Sequence, residues 1–223
     1  NKGNWDFEEI ALVAGVAYNS KGRSMGSMGI ACADFTNDGT IDLLTTNFSN
    51  ERNVLFENIG DMLFRDSSLN TPIDRASRSL VGWAAIPIDV DYDGYMDLFV
   101  TNGHVTKMPE EMHRQPAFLM RGLRGGAWEN AHSAGDYFQQ NWHGRGAAKA
   151  DFDGDYRDDL VVSHINDRPS ILKNRSGPFG NRIVVSLIGV NGDRNAISAT
   201  INYKVDERLR IHQVKLNNGY LCS

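Results

Sequence analysis

Three segments of the chain carry carboxylates at a spacing that suits a hard cation. The first runs Asp34-Phe35-Thr36-Asn37-Asp38-Gly39-Thr40-Ile41-Asp42, the second Asp89-Val90-Asp91-Tyr92-Asp93-Gly94-Tyr95-Met96-Asp97, and the third Asp151-Phe152-Asp153-Gly154-Asp155-Tyr156-Arg157-Asp158-Asp159. Side-chain oxygens fall at positions 1, 3, 5 and 9 of each segment. The backbone carbonyl of position 7 (Thr40, Tyr95 or Arg157) can join them. Oxygen donors at this density suit calcium, which takes six to eight of them at about 2.3–2.6 Å. A glycine at position 6 supplies the positive φ that curls the backbone around an ion. Without a cation, carboxylates this close repel one another.

The spacing is not that of an EF-hand, which needs a bidentate acidic residue at position 12. Here position 12 is Thr45, Val100 or Val162, each within an apolar, strand-like run. The same residue types also occur in solvated turns, where Asp and Gly are common for conformational reasons. Recurrence in three matching settings favours metal. The loops are graded. The second holds four carboxylates, Asp89, Asp91, Asp93 and Asp97. The first has Thr36 in place of one. The third has Asp151, Asp153, Asp155 and Asp159 but carries Tyr156 where glycine is preferred, which predicts a strained curl. Up to three Ca2+ ions are expected, the second loop being the best site.

The loops require strands to hold them. Each follows a short apolar run (29–33, 83–88, 146–150) and precedes another (43–46, 98–101, 160–163). A third run follows at 53–57, 117–120 and 170–173, and a fourth at 63–66 and, more weakly, 127–130. Runs of four to six residues suit strands rather than helices. The loop starts lie 55 and 62 residues apart (34 to 89, 89 to 151), a period typical of repeat architectures. Strand, acidic loop and three further strands in antiparallel succession make a propeller blade. The expectation is an all-β fold: about three four-stranded blades over residues 1–176, a partial propeller, then a small β module over 177–223. In that module 182–188, 197–205 and 209–216 read as strands, with a turn near Asp206-Glu207. The module is expected to pack on the third repeat, with 182–188 as its first strand.

Composition narrows the function. The 223 residues carry a formal charge of −5, which argues against a binder of phosphate backbones. No apolar stretch reaches the roughly 18–20 residues of a membrane-spanning helix. None of the six histidines shows metal-ligand spacing, and neither a Gly-x-Ser-x-Gly elbow nor a phosphate loop is present. Residues 121–126, Arg-Gly-Leu-Arg-Gly-Gly, resemble a phosphate cradle in composition only. No catalytic residues are assigned. Cys32 and Cys222 leave a disulfide open, though two separate thiols fit better, and the glycosylation patterns at Asn47 and Asn174 carry no weight at this Asn and Ser content. Trp83, Trp128 and Trp142 are candidates for a sugar-stacking surface, with Trp83 drawn toward the core by its strand.

The loops with their flanking strands resemble FG-GAP/VCBS repeats, the blades of integrin-α-type β-propellers. Residues 101–105 (Thr-Asn-Gly-His-Val) and 144–148 (Gly-Arg-Gly-Ala-Ala) look like connectors of one subgroup. The tail, Gly192-Asp193-Arg194-Asn195-Ala196-Ile197-Ser198-Ala199 followed by 210–214 (Arg-Ile-His-Gln-Val) and 219–221 (Gly-Tyr-Leu), is similar to the ASPIC/UnbV domain of bacterial secreted proteins. Two residues depart from the pattern, Tyr156 and Ser198, where the family has glycine. The resemblance implies calcium held structurally in blade loops. It also implies a secreted, cell-surface or periplasmic protein, and a protein or glycan ligand at the propeller loops. It implies a longer protein too, since these propellers have about seven blades. The competing reading is an accessory or catalytic protein of a secondary-metabolite (enediyne-type) or polysaccharide-processing pathway.

Overall fold

A computed structural model describes residues 6–105, 109–177, 183–190, 192–205 and 208–215. Strands dominate it. The first sheet has the order β1 (Ile30–Ala33), β2 (Asp42–Thr45), β3 (Val54–Asn58), β4 (Phe64–Asp66), each antiparallel to its neighbour. The second is β5 (Gly82–Ile88), β6 (Asp97–Asn102), β8 (Phe118–Leu123), β9 (Ala127–Asn130). The third is β11 (Gly144–Ala150), β12 (Asp159–His164), β13 (Ser170–Leu172). Two short strands, β7 (Gln115–Pro116) and β10 (Asn141–Trp142), pair on their own between the second and third sheets. The first strands β1, β5 and β11 lie side by side, β5 in the middle, as the inner strands of successive propeller blades do. The first two sheets have the four strands expected. The third has three among the described residues.

The middle sheet is buried on both faces, and its side chains divide by parity. Ala85, Leu98, Val100, Phe118 and Met120 pack toward the first sheet, with Phe35, Leu44, Leu55 and Trp128. Ala84, Ile86, Ile88, Phe99, Ala117 and Leu119 pack toward the third, with Ala147, Leu160 and Val162. Period-two alternation in a sheet with two buried faces produces continuous apolar strands. All seven residues of β5 are accordingly buried.

Two short α-helices interrupt the pattern among the described residues. Helix α1 spans Ala11–Ala14 and α2 spans Pro72–Ser77. In α2, Thr71 caps the N-terminus and Pro72 opens the first turn, both standard start signals. The six residues of α2 are too few to show a helical period in the sequence.

The tail departs from expectation. Residues 183–188 form no strand. The hairpin β14 (Thr200–Val205) and β15 (Arg208–Gln213) does form, in register from Thr200 opposite Gln213 to Val205 opposite Arg208. The expected turn at Asp206-Glu207 lies outside the described residues. The hairpin sits against the loop ends of the first two repeats and also meets the third, where Ile211, His212 and Gln213 share a pocket with Lys149. Leu209 packs on Gly39, the Arg210 guanidinium lies 5.2 Å from the Tyr95 ring centre, and the Lys215 ammonium donates to the Cys32 carbonyl at 2.5 Å. Gly39 has φ +87° and no side chain, so Leu209 can approach its backbone. Ser198 adopts φ 70°.

Other readings resolve simply. Residues 121–126 form the end of β8 and its turn into β9, with Gly125 and Gly126 at positive φ. Trp128 is buried against Phe35, Trp83 is buried, and Trp142 stacks on Tyr137 and on His164, which also touch each other. The three indoles share no surface.

Candidate metal centre

Each acidic loop connects the first and second strands of its sheet, and one bonding scheme recurs in all three. The ninth-position aspartates Asp42, Asp97 and Asp159 open the second strand and are buried. One oxygen of each accepts from the amide of position 2: Phe35 at 3.0 Å, Val90 at 2.8 Å, Phe152 at 3.3 Å. The other accepts from an amide at the end of the third strand: Asn58 at 2.9 Å, Gly122 and Asn174 at 2.8 Å. The aspartate thus pins its loop to two strands.

Position 1 does the complementary work. Asp34 accepts from the amides of Asp38 and Gly39, Asp89 from those of Asp93 and Gly94, and Asp151 from those of Gly154, Asp155 and Tyr156. Position 5 closes the turn through the amide of position 7: Asp38 to Thr40, Asp93 to Tyr95, Asp155 to Arg157. Positions 4 and 6 take positive φ throughout: Asn37 and Gly39, Tyr92 and Gly94, Gly154 and Tyr156. The third loop therefore makes the same curl with its glycine at the other of the two positions. Tyr156 sits at φ 63°, the strain its sequence foretells.

The loops differ in how their carboxylates converge. In the second, one oxygen each from Asp89, Asp91 and Asp97 falls within 4.8 Å of the others, and Asp151, Asp153 and Asp159 do the same in the third. In the first, Asp34, Asp38 and Asp42 form no such trio. The Thr36 hydroxyl fills the third position there and donates to Asp42 at 3.1 Å. Three carboxylate oxygens therefore converge in the second and third loops and not in the first.

Electrostatics single out the second loop further. Burial pushes the Asp97 carboxyl up to about 7, with the charges of Asp91 and Asp89 adding to it against the Val90 and Gly122 amides. Burial likewise raises Asp89 to about 6. Asp42 also rises to about 6, again chiefly through burial. Asp91 is almost wholly buried, and its Oδ1 has no hydrogen-bond partner. A buried carboxylate oxygen without a donor is costly, and a cation is the partner its chemistry suits. The oxygen-only donor set fits calcium.

Four participants escaped the sequence reading. Arg121 Nη2 meets Asp91 Oδ2 at 2.5 Å, and Lys173 pairs with Asp153. The Tyr92 hydroxyl donates to the Tyr156 carbonyl at 3.2 Å and accepts from the Asp158 amide at 2.9 Å, joining the second loop to the third. The Asn174 side chain donates to the Val90 carbonyl at 2.9 Å, joining the same two repeats. A signal existed for the cations: Arg121 and Lys173 each immediately precede the amide that binds the ninth aspartate.

Three antiparallel sheets with inner strands side by side and acidic loops at one end define a β-propeller-like repeat architecture. Residues 34–100 match the family model of the FG-GAP-like repeat, covering the first repeat and running into the second. The whole chain aligns with cartilage acidic protein 1 of Xenopus tropicalis at 28% identity, and with those of Mus musculus at 28% and Homo sapiens at 27%. It spans 33% of the length of each. A solved structure described as an Agrocybe aegerita lectin recognising non-reducing terminal N-acetylglucosamine is similar over 85% of this chain and 47% of that one, at 20% identity and a TM-score of 0.40. No helix among the described residues is long and apolar enough to cross a membrane.

Proposed function

We propose that this chain is a calcium-stabilised segment of an extracellular binding propeller, with the ions serving structure rather than catalysis. Residues through 176 supply the blades, and those from 177 a β module laid on them. The observation that carries the metal reading is the buried, unpartnered Oδ1 of Asp91 beside Asp89 and Asp97. The ligands are Asp89, Asp91, Asp93, Asp97 and the Tyr95 carbonyl in the second loop. In the third they are Asp151, Asp153, Asp155, Asp159 and the Arg157 carbonyl. The first loop, with Asp34, Thr36, Asp38, Asp42 and the Thr40 carbonyl, is the weakest site. The FG-GAP-like match and the alignment with cartilage acidic protein 1 support a binding role outside the cytoplasm, toward a protein or glycan at the propeller loops.

Filling a site present only in the folded state stabilises by about 2.7 kcal/mol at 100 times its dissociation constant. Thermal melts in millimolar calcium and in chelator should therefore differ by several degrees. Asp91→Ala should remove most of that difference and Thr36→Ala little of it. Superimposable wild-type curves would remove the metal from the account.

A further inference from the structure

We propose that Arg121 is a displaceable plug of the second acidic loop, and that a divalent cation enters by expelling it onto Glu129. The proposal deepens the calcium reading and rests on it. Three observations carry it. First, Arg121 sits at the carboxylates themselves, with Nη2 2.5 Å from Asp91 Oδ2 and 3.3 Å from Asp93 Oδ2. The pairing is incomplete. Arg121 Nε and Asp91 Oδ1 are both buried without a partner, so the fork-to-fork geometry that makes arginine–carboxylate pairs strong is not reached.

Second, the guanidinium has somewhere to go. Glu129 on β9 holds its Oε2 3.8 Å from Arg121 Nη1 and is mostly exposed. Arg121, with Asp91, also lines an open groove of about 650 Å³ between the second and third sheets, so the guanidinium borders open space rather than packed core. An ion binding at Asp91 would then leave no buried charge unpaired.

Third, the repeats act as internal controls. The residue before the third-strand amide that anchors the ninth aspartate is Glu57, Arg121 or Lys173. Position 3 of the corresponding loop is Thr36, Asp91 or Asp153. A cation stands on the third strand (Arg121) or just past its end (Lys173) in the two repeats whose third position is a carboxylate, and pairs with it in both. Where that position is a threonine, the strand residue is an acid, and it pairs with Arg65 instead.

The test titrates calcium calorimetrically into the chain in a D153N background, which silences the third loop. R121Q should bind about tenfold more tightly, because a competing unit charge at contact distance is gone. E129Q should bind more weakly. In an R121Q background E129Q should change nothing, since Glu129 acts by receiving Arg121. A merely electrostatic Glu129 would weaken binding equally in both backgrounds, which would overturn its role as receiver. Unchanged or weaker binding by R121Q would overturn the plug while leaving calcium in place. If neither wild type nor R121Q binds calcium, the calcium reading falls and takes the plug with it. One readout needs no variant. The Arg121 Nε–H resonance should move with calcium at the same midpoint as the loop amides, and a resonance that stays fixed while calcium binds refutes displacement even if R121Q fails to fold.

Discussion

At the scale of single residues, Tyr156 and Ser198 are among the positions that hold side chains in a conformation that favours glycine. Tyr156 has φ 63° and Ser198 φ 70°. Left-handed backbone costs a residue with a Cβ on the order of 1 kcal/mol. Tyr156→Gly should therefore stabilise the protein by up to about 1 kcal/mol, despite the greater freedom it gives the unfolded chain. A β-branched replacement, Tyr156→Val, should destabilise by a similar amount. Chemical denaturation in chelator measures both, and a Gly variant less stable than wild type would show that the tyrosine side chain contributes more than its backbone costs. The residue itself was visible in the sequence as a departure from the loop pattern. Its φ was inferable only because the other two loops state what position 6 requires.

At the scale of elements, the acidic loops are coupled rather than independent. The Tyr92 hydroxyl spans from the second loop to two backbone groups of the third. Tyr92→Phe removes both bonds, at about 1 kcal/mol, and leaves the Asp158 amide without that acceptor. Hydrogen exchange at the Asp158 amide should quicken in this variant while exchange within the first loop stays as it was. The loops also set a pH dependence. Asp97 and Asp89 hold protons more tightly folded than unfolded, with folded pKa values of about 7 and about 6 against 3.8. Their contribution to stability is therefore fully present below the unfolded value and lost as pH rises through the folded values. In chelator the melting temperature should fall between pH 5 and pH 7.5 by this route, a window taken from those shifts. Calcium should shrink the fall, because an ion in the loop repays the charged form. Melts at several pH values, with and without calcium, read the difference directly, and parallel curves would show that these carboxylates are not where calcium acts.

At the scale of the whole molecule, the tail closes over the loop end of the repeats. The sequence reading placed it on the third repeat, led by a strand at 182–188. The structure lays Leu209, Arg210 and Lys215 of the tail on Gly39, Tyr95 and Cys32 in the first two repeats, and sets His212 beside Lys149 of the third. Leu209→Asp should accordingly raise hydrogen exchange around 34–42 and near Tyr95, and leave residues 151–159 nearly unchanged. The opposite pattern would return the tail to the third repeat. Adjacency in the chain does not decide which neighbouring loop end offers a glycine for Leu209 and an aromatic ring for Arg210.

What the sequence determined by itself is the part written in short-range pattern. Carboxylates at fixed spacing announce the loops, and alternating apolar runs bounded by turn residues announce the strands, because both depend on neighbours within a dozen positions. Eleven strands of the three main sheets follow from that reading. Tertiary structure alone decided what crosses between repeats. Phe99 and Val100 are equally apolar neighbours, yet one faces the third sheet and the other the first, a choice that exists only once three sheets are stacked. Arg121 reads as one more surface charge until antiparallel pairing brings β8 beside β6 and sets it against Asp91. Its partner lies 30 positions away in the chain, and only the register of two strands puts a guanidinium where the spacing of carboxylates asks for a cation.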